Sequence, residues 1–279
     1  MHFEKPEDFI FPAPAFHESG IKYFKENLIQ IPTGRKSENN AEIKIPCLFN
    51  KHPNSKNLLI SFHCNGMDIF STFLTISKVA DKLGMSCLAP EYPGYSMYSS
   101  PKSSEQCLQD SLFIYDFILQ NMKNITEKNI YIFGRSLGTG PAIYLSSKRN
   151  PAGTFVLSPY TTFGSVAKHH HEEDFYNKLT KHFRSIDYIE NVKCPLCIFH
   201  GKSDKLIDHH DAIELYEKCN KNEKRQLHLI DNMGHNDVYY YVKPMLKLAK
   251  EFIDKFCPIN NGVSQDNTQL DFDKNLYYC

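Results

Sequence analysis

The chain has 279 residues, 41% of them hydrophobic and 13% aromatic, which is enough apolar material to bury a large globular core. Its 32 basic and 32 acidic residues balance, so there is no excess positive charge of the kind that holds nucleic acid. The nine cysteines are scattered rather than closely spaced, which indicates reduced thiols in a cytoplasmic protein and excludes a small disulfide-bonded secreted fold.

The first fifty residues predict an N-terminal strap followed by a β-hairpin. The proline-punctuated run Phe9–Pro14 is expected to lie, without helix, across the domain surface. Strands are predicted over 28–32 and 41–50, and the polar residues between them indicate an antiparallel hairpin. The start of the chain lacks a secretory signal, and no apolar stretch approaches the roughly 20 residues that span a bilayer. We therefore expect no transmembrane segment and at most peripheral membrane contact.

Strands and helices alternate through the rest of the chain. Short continuous apolar runs predict buried strands over 58–62, 85–90, 129–133, 154–158, 196–200 and 226–230. Apolar residues at helical spacing predict helices over 69–83, 103–119, 137–145, 211–218 and 242–256. This alternation predicts an α/β fold, with a mostly parallel central sheet and helices on both faces. One domain is expected over 1–257, with a short polar lid insertion at about 161–191 and a loose polar tail over 258–279.

The stretch around Ser136 carries the functional prediction. An apolar run is followed by Gly134-Arg135-Ser136-Leu137-Gly138, and a helix-forming stretch begins at once. Gly-x-Ser-x-Gly between a strand and a helix is typical of a nucleophile elbow, where the serine is strained and the glycines relieve crowding. The start of the following helix would also favour an anionic intermediate. The alternative is a chance match in a glycine-containing turn.

Two later loops supply partners for a catalytic serine. Asp204 follows the predicted strand 196–200, and His235 follows the strand 226–230. In a parallel sheet these loops meet at the carboxyl ends of the strands, and the order Ser, Asp, His is that of α/β hydrolases. We predict that His235 deprotonates Ser136 for attack on an acyl carbonyl, while Asp204 orients the imidazole. An acyl-enzyme results, without a cofactor or metal ion.

The tetrahedral intermediate needs two N–H donors. The predicted donors are the backbone N–H of Leu137, directly after the nucleophile, and that of Asn65, in the loop after the strand 58–62. His63 is expected to brace its own loop, and Asp237 is expected either to brace its loop or to cap. Ile69 and Phe70 are expected to pack in the core, with an acyl groove as the alternative use.

Several neighbouring residues compete for the predicted roles. The candidates are Asp208 and Asp211 for the acid, and His200, His209 and His210 for the base. His200 is typical of a satisfied core histidine, and the others are typical of solvated or capping residues. The run His169-His170-His171 has adjacent rather than turn-spaced ligands, which favours a solvated lid over a metal site. Cys194-Pro195-Leu196-Cys197 has no second cysteine pair, which favours a buried strand over a redox or zinc motif.

The same stretches resemble a known family. Phe62–Asp68 is similar to the His-Gly-Asn-Ala-x-Asp loop of one serine-hydrolase group in the α/β-hydrolase superfamily, and Tyr92–Tyr95 to its Tyr-x-Gly-Tyr-Gly loop. With the stretches around Ser136, 157–161, 200–208 and 234–237, the chain resembles the α/β-hydrolase-domain-containing 17 proteins over about 11–256. The resemblance implies the α/β-hydrolase fold, depalmitoylation of S-acylated membrane proteins, and catalytic roles for Ser136, Asp204 and His235.

The chain departs from that family in two respects. The family carries a palmitoylated N-terminal cysteine cluster, whereas the first cysteine here is Cys47. Cys64 and Ser96 stand where the family has glycine.

We therefore predict a cofactor-free serine hydrolase in the cytoplasm and at membrane surfaces, acting on acyl thioesters first. The alternatives are a small-molecule carboxylesterase, a serine peptidase-like hydrolase, a metal hydrolase and a non-catalytic α/β-hydrolase binding scaffold.

Overall fold

The computed structural model describes residues 5–53, 55–167, 173–259 and 270–278. It divides into two compact units: Tyr131–Ile259 forms the second, and the residues before and after that range form the first. Strands and helices alternate in both units, and the predicted α/β class is confirmed. A single domain over 1–257 stays a prediction.

The first unit contains a mixed group of four strands. Their order is β1-β2-β4-β3, where β2 is antiparallel to both β1 and β4, and β3 is parallel to β4. The strands are β1 (Leu28–Lys36), β2 (Glu42–Asn50), β3 (Leu58–Phe62) and β4 (Ser86–Pro90), and the helices are α1 (Pro6–Ile10), α2 (Glu18–Phe24), α3 (Ile69–Lys82) and α4 (Ser104–Asn121). The predicted hairpin is confirmed as β1 and β2.

Capping residues determine where the long helices of this unit begin. The Asp68 carboxylate accepts a hydrogen bond from the Ser71 backbone, and the Ser71 side chain accepts one from the Asp68 backbone, forming a capping box before α3. The Ser103 hydroxyl accepts the backbone N–H of Gln106 at the start of α4.

The N-terminal strap differs from the prediction. Phe9 and Ile10 belong to α1, and Ile10 and Phe11 are fully buried rather than on the surface. The Phe11 ring packs edge-on against Tyr92 and Tyr95. Proline is tolerated in the first turn of a helix, so Pro6 opens α1, and the helix-breaking prolines come only after Ile10.

Residues 270–278 pack onto β1 and β2 within the first unit. Leu270 and Phe272 are buried, and the Phe272 ring lies edge-on to Phe49 with centroids 5.0 Å apart. Tyr277 bridges to Ile29 of β1, and Lys51 pairs with Asp271. The prediction of a loose tail is therefore wrong for 270–278, because two apolar side chains are enough to dock a segment of polar composition. The predicted tail residues 260–269 lie outside the described residues.

The second unit contains four parallel strands in chain order, β5-β6-β7-β8. They are β5 (Ile130–Arg135), β6 (Gly153–Leu157), β7 (Leu196–Gly201) and β8 (Arg225–Ile230), and the helices are α5 (Thr139–Lys148), α6 (Gly164–Ala167), α7 (Glu173–Leu179), α8 (Ser185–Tyr188), α9 (His209–Lys218) and α10 (Val242–Phe256). Because neighbouring strands run parallel, their carboxyl ends share one edge of the sheet.

Helices cover both faces of these strands. Successive residues of a strand point to opposite faces, and Thr154 and Phe155 are neighbours in β6. The Thr154 hydroxyl lies 2.7 Å from that of Ser146 in α5, whereas the Phe155 ring contacts Phe252 in α10. The predicted mostly parallel sheet with helices on both faces is confirmed here. No helix within the described ranges combines the length and apolarity needed to cross a bilayer.

The insertion between β6 and β7 is more deeply packed than its composition indicates. Phe163, Leu179, Phe183 and Ile189 are buried in it, so the expectation that it is too polar for the core is wrong. Backbone hydrogen bonds from Phe163 to His182 and from Ile186 to Thr161 close its base. The His169-His170-His171 run lies outside the described residues.

Replacing Phe272 tests the packing of the terminal segment. We expect Phe272→Ala to lower the free energy of unfolding by about 3 kcal/mol, because a buried phenyl ring is removed. Lys274→Ala, an exposed position in the same segment, should change it by less than about 0.5 kcal/mol. Denaturant unfolding measures both, and equal stabilities of the two variants would show that the segment is not docked.

Candidate active site

Ser136 lies in a strained turn at the end of β5. Its φ is 51°, in the left-handed region that side chains rarely adopt, and a single 3-10 turn, Ser136–Gly138, joins β5 to α5. A Cβ atom at Gly134 would lie 2.3 Å from the Gly138 carbonyl oxygen and 2.8 Å from the Ala142 Cβ. Only glycine permits that approach of strand and helix, as predicted for a nucleophile elbow.

The three predicted catalytic side chains form one hydrogen-bonded chain. The Nε2 atom of His235 is 3.0 Å from the Ser136 Oγ, and its Nδ1 is 2.7 Å from the Asp204 Oδ2. An ionised carboxylate can only accept, so the hydrogen lies on Nδ1 and Nε2 presents a lone pair to the hydroxyl. This arrangement can take a proton from Ser136.

The environment of Asp204 keeps it ionised. Burial raises the pKa of Asp204, but hydrogen bonds from His200 and His235 outweigh burial and hold that pKa well below the usual range. Its other oxygen, Oδ1, accepts the backbone N–H groups of Leu206 and Ile207, both at 2.9 Å. The carboxylate is therefore charged and oriented at any pH where His235 can act as a base.

Backbone contacts tie the loop that carries Asp204 to the loop that carries His235. A Cβ atom at Gly201 would lie 2.1 Å from the Met233 carbonyl oxygen, and the Ser203 N–H donates to that same oxygen at 3.0 Å. The Asp237 carboxylate accepts the Gly234 N–H at 2.8 Å, so Asp237 braces its own loop as predicted. These contacts set the separation of the two partners of Ser136.

The competing acids and bases have other contacts. Asp208 caps α9 by accepting the His210 N–H, and Asp211 accepts the Thr161 N–H. His209 and His210 lie beside Asp208 at the start of α9, where their ligand atoms are within 4.8 Å of one another. Asp208 and His210 agree with the capping and solvated roles that the sequence indicated, whereas Asp211 instead holds the Thr161 backbone.

Sequence reasoning missed three side chains that contact this chain of residues. The Arg135 guanidinium donates to the His235 carbonyl oxygen at 2.9 Å, and the Tyr160 hydroxyl donates to the Leu137 carbonyl oxygen at 3.0 Å. His200 lies 3.5 Å from Asp204 through Nε2 and 3.0 Å from the Ile207 carbonyl oxygen. The sequence shows that Arg135 is next to Ser136, but it does not show any of these three contacts. Each contact forms only when the folded chain brings the two groups together.

Asn65 belongs to the first unit, where its loop is firmly held. The Tyr95 hydroxyl donates to its Oδ1 at 2.8 Å. His63 contacts Glu91 through Nε2 at 2.9 Å and the Cys64 carbonyl oxygen through Nδ1 at 3.0 Å, in agreement with its predicted bracing role. Leu137 adjoins Ser136 in the second unit. The oxyanion roles of Asn65 and Leu137 stay predictions.

Two departures from the family pattern have a structural setting in the first unit. Ser96 has φ of 38°, a conformation that glycine adopts more readily, and its hydroxyl donates to the buried Glu91 carboxylate at 2.7 Å. Cys64 is buried.

Ile69 and Phe70, at the start of α3, are buried as well. Phe70 stacks on Phe24, which agrees with the predicted core role.

The Cys194 and Cys197 thiols are buried in and before β7. Burial raises the pKa of Cys194 to about 12. A thiol that resists ionisation is a poor nucleophile and a poor metal ligand. The pair is therefore a packing feature of the strand.

Comparison with curated proteins identifies α/β hydrolases as relatives. The chain is 31% identical over 224 residues to an α/β hydrolase of Acanthamoeba polyphaga mimivirus, covering 80% of this chain and 82% of that protein. It is 27% identical over 213 residues to α/β-hydrolase domain-containing protein 17B of Homo sapiens, covering 76% and 72%. No protein-family model matches the chain.

Solved structures share the fold. The Pyrococcus furiosus esterase Pf2001 aligns with a TM-score of 0.66 at 17% identity, covering 88% of this chain and 97% of that one. Est1E from Butyrivibrio proteoclasticus aligns with a TM-score of 0.62 at 14% identity, covering 82% and 100%. At these identities the likeness establishes the fold.

Acidification should weaken the fold at Asp204. Its folded-state pKa lies below the unfolded value of about 3.9, so the ionised carboxylate contributes stability above about pH 4, and that contribution is lost as pH falls through the folded pKa. We expect the difference in unfolding free energy between wild type and Asp204→Asn to shrink on acidification below about pH 4.

Denaturant unfolding over a pH series measures this difference. Asp231→Asn is the control, because Asp231 is exposed and pairs with Lys202 at the surface. A difference for Asp204→Asn that stays constant down to about pH 2 would contradict the assignment.

Proposed function

Because the chain belongs to the α/β hydrolases, a family of enzymes, we propose that it is a serine hydrolase that cleaves acyl esters or thioesters through a covalent acyl-enzyme. One observation carries the proposal: the Ser136 hydroxyl, the His235 imidazole and the Asp204 carboxylate are linked by contacts of 3.0 and 2.7 Å. A hydroxyl, an imidazole and a carboxylate linked in this order are the groups that serine-based acyl transfer uses.

In the first half of the proposed reaction, Ser136 Oγ forms a bond to the acyl carbon while its proton passes to His235 Nε2. The bond to the leaving alcohol or thiol then breaks, and the leaving group takes that proton from the imidazolium. In the second half, water attacks the acyl-enzyme with His235 again as the base, releasing the acid and restoring Ser136. Ionised Asp204 stabilises the imidazolium in both halves.

The negative oxygen of each tetrahedral intermediate needs N–H donors. We propose the Leu137 N–H as the first donor, since it follows the nucleophile and lies in the 3-10 turn that leads into α5. The Tyr160 hydroxyl, bonded to the Leu137 carbonyl oxygen, supports this turn. Asn65 is proposed as the second donor on its sequence position alone.

The favoured substrate is a long-chain acyl thioester on a protein cysteine. Two observations support this choice. They are the resemblance of the sequence motifs to the α/β-hydrolase-domain-containing 17 proteins and the sequence similarity of the chain to member 17B. Such substrates lie at cytoplasmic membrane surfaces, so the proposal includes a cytoplasmic enzyme with peripheral membrane contact. Small-molecule carboxylesters are the second choice. Of the two structural relatives described, Pf2001 and Est1E, the first is named an esterase.

Hydrolysis of matched acyl thioesters and oxygen esters over a short-to-long chain series tests the substrate. We expect the long-chain thioesters to be cleaved fastest, and Ser136→Ala to be inactive and unlabelled by a fluorophosphonate, because the nucleophile is removed. Preference for short oxygen esters would replace the depalmitoylase proposal with a carboxylesterase. An unlabelled wild type with no turnover would favour a binding scaffold.

Paired variants test the roles of the partners. We expect Asp204→Asn to reduce kcat by about 10⁴-fold and His235→Ala by at least as much, the scale seen in other triads. The matched controls Asp208→Asn and His210→Ala lie in the same region but make capping and surface contacts, so both should keep wild-type rates. Wild-type rates in Asp204→Asn would show that another acid orients the base.

A further inference from the structure

His200 is a fully buried histidine four residues before Asp204, near the end of β7. Its Nε2 faces two acceptors, the Ile207 carbonyl oxygen at 3.0 Å and the Asp204 Oδ2 at 3.5 Å. Both neighbours accept, so Nε2 must carry the hydrogen and share it between them. Within the described residues, the opposite ring nitrogen, Nδ1, has no hydrogen-bond partner.

These two contacts span the loop that carries Asp204. His200 precedes the loop, Ile207 ends it, and the carboxylate lies between them. The backbone N–H groups of Leu206 and Ile207 hold Oδ1 and leave Oδ2 to the histidines. Oδ2 is also the oxygen that accepts His235 Nδ1, at 2.7 Å.

We propose that His200 is a positioning residue for His235, acting through Asp204. Its Nε2–H fixes the rotation of the carboxylate and shares the charge on Oδ2, so that Oδ2 stays directed at His235. The proposal rests on the proposed serine hydrolase function and extends it by one residue. It replaces the interpretation of His200 as a core histidine with no part in the reaction.

The contact between His200 and Asp204 is long, but its burial strengthens its effect on the carboxylate. The side chains of His200 and Asp204 have no exposed surface, so water cannot replace a lost donor there. Hydrogen bonding from His200 also lowers the pKa of Asp204 against the raising effect of burial. Because 3.5 Å is long for a hydrogen bond, a moderate effect on rate is expected.

Two amide variants of similar polarity separate positioning from packing. The amide nitrogen of His200→Gln reaches the position of Nε2, whereas that of His200→Asn stops near Nδ1. We expect His200→Asn to lower kcat about tenfold with KM unchanged, and His200→Gln to remain within about twofold of wild type. His228→Asn, on neighbouring β8 against the Phe199 ring, is the control and should leave kcat unchanged.

Proton NMR supplies a readout that a packing role would not move. The far-downfield resonance of the His235 Nδ1 proton reports its bond to Asp204. We expect that resonance to shift in His200→Asn and to return in His200→Gln, with thermal melting used to establish that both variants are folded. Nitrogen NMR of the wild type should also show the hydrogen of His200 on Nε2, a result that needs no variant.

Three outcomes would overturn the proposal. They are a hydrogen on Nδ1 of wild-type His200, equal activity loss in the two folded amide variants with an unchanged His235 resonance, or wild-type kcat in His200→Asn. Asp204→Asn separates this failure from that of the proposed function. If Asp204→Asn is inactive while His200→Asn is active, only the role of His200 is lost; if Asp204→Asn is active, the triad itself is wrong.

Discussion

The hydrogen bond between Asp204 and His235 is the contact on which the candidate site depends. It joins the loops that follow β7 and β8, which are parallel neighbours in register from Leu196 with Arg225 onward. Parallel pairing puts both loops at the same edge of the sheet, and β5 brings Ser136 to that edge two strands away. A change in strand order would separate the three side chains even if each loop kept its shape.

Burial makes this contact chemically useful. A carboxylate removed from water is costly unless donors surround it, and Asp204 has two backbone N–H groups and two histidines. The donors hold its charge, and the charge holds the His235 hydrogen on Nδ1, which leaves Nε2 free to accept a proton. Burial raises the pKa of the thiols as it does that of a carboxylate, and at Cys87 and Cys194 this effect prevails, so that ionisation is suppressed.

Close packing supports the strained serine. Gly134 admits the Gly138 carbonyl oxygen, and a Cβ at Gly140 would lie 2.7 Å from the Phe183 ring, so the insertion after β6 rests directly on the start of α5. The Thr139 hydroxyl also donates to the Ser136 carbonyl oxygen at 2.7 Å. The insertion predicted as a lid thus contributes contacts to the nucleophile turn, and its buried aromatic residues explain why it packs in spite of a polar composition.

Local periodicity, turn chemistry and chain order were enough to predict the α/β class, the strands β1 to β8 and the helices α3, α4, α5, α9 and α10, and to single out Ser136, Asp204 and His235 as candidates. The shorter helices α1, α2, α6, α7 and α8 were not predicted. Tertiary structure alone decided the burial of Ile10, the docking of Phe272, and the contacts of Arg135, Tyr160 and His200. Each of these joins segments that are distant in the chain or turned toward one another by a loop, and one-dimensional patterns record which side chains are apolar without recording what they meet. His200 lies in an apolar strand, so its sequence neighbours predict a core residue. Its contact with the Asp204 carboxylate forms only when the chain folds.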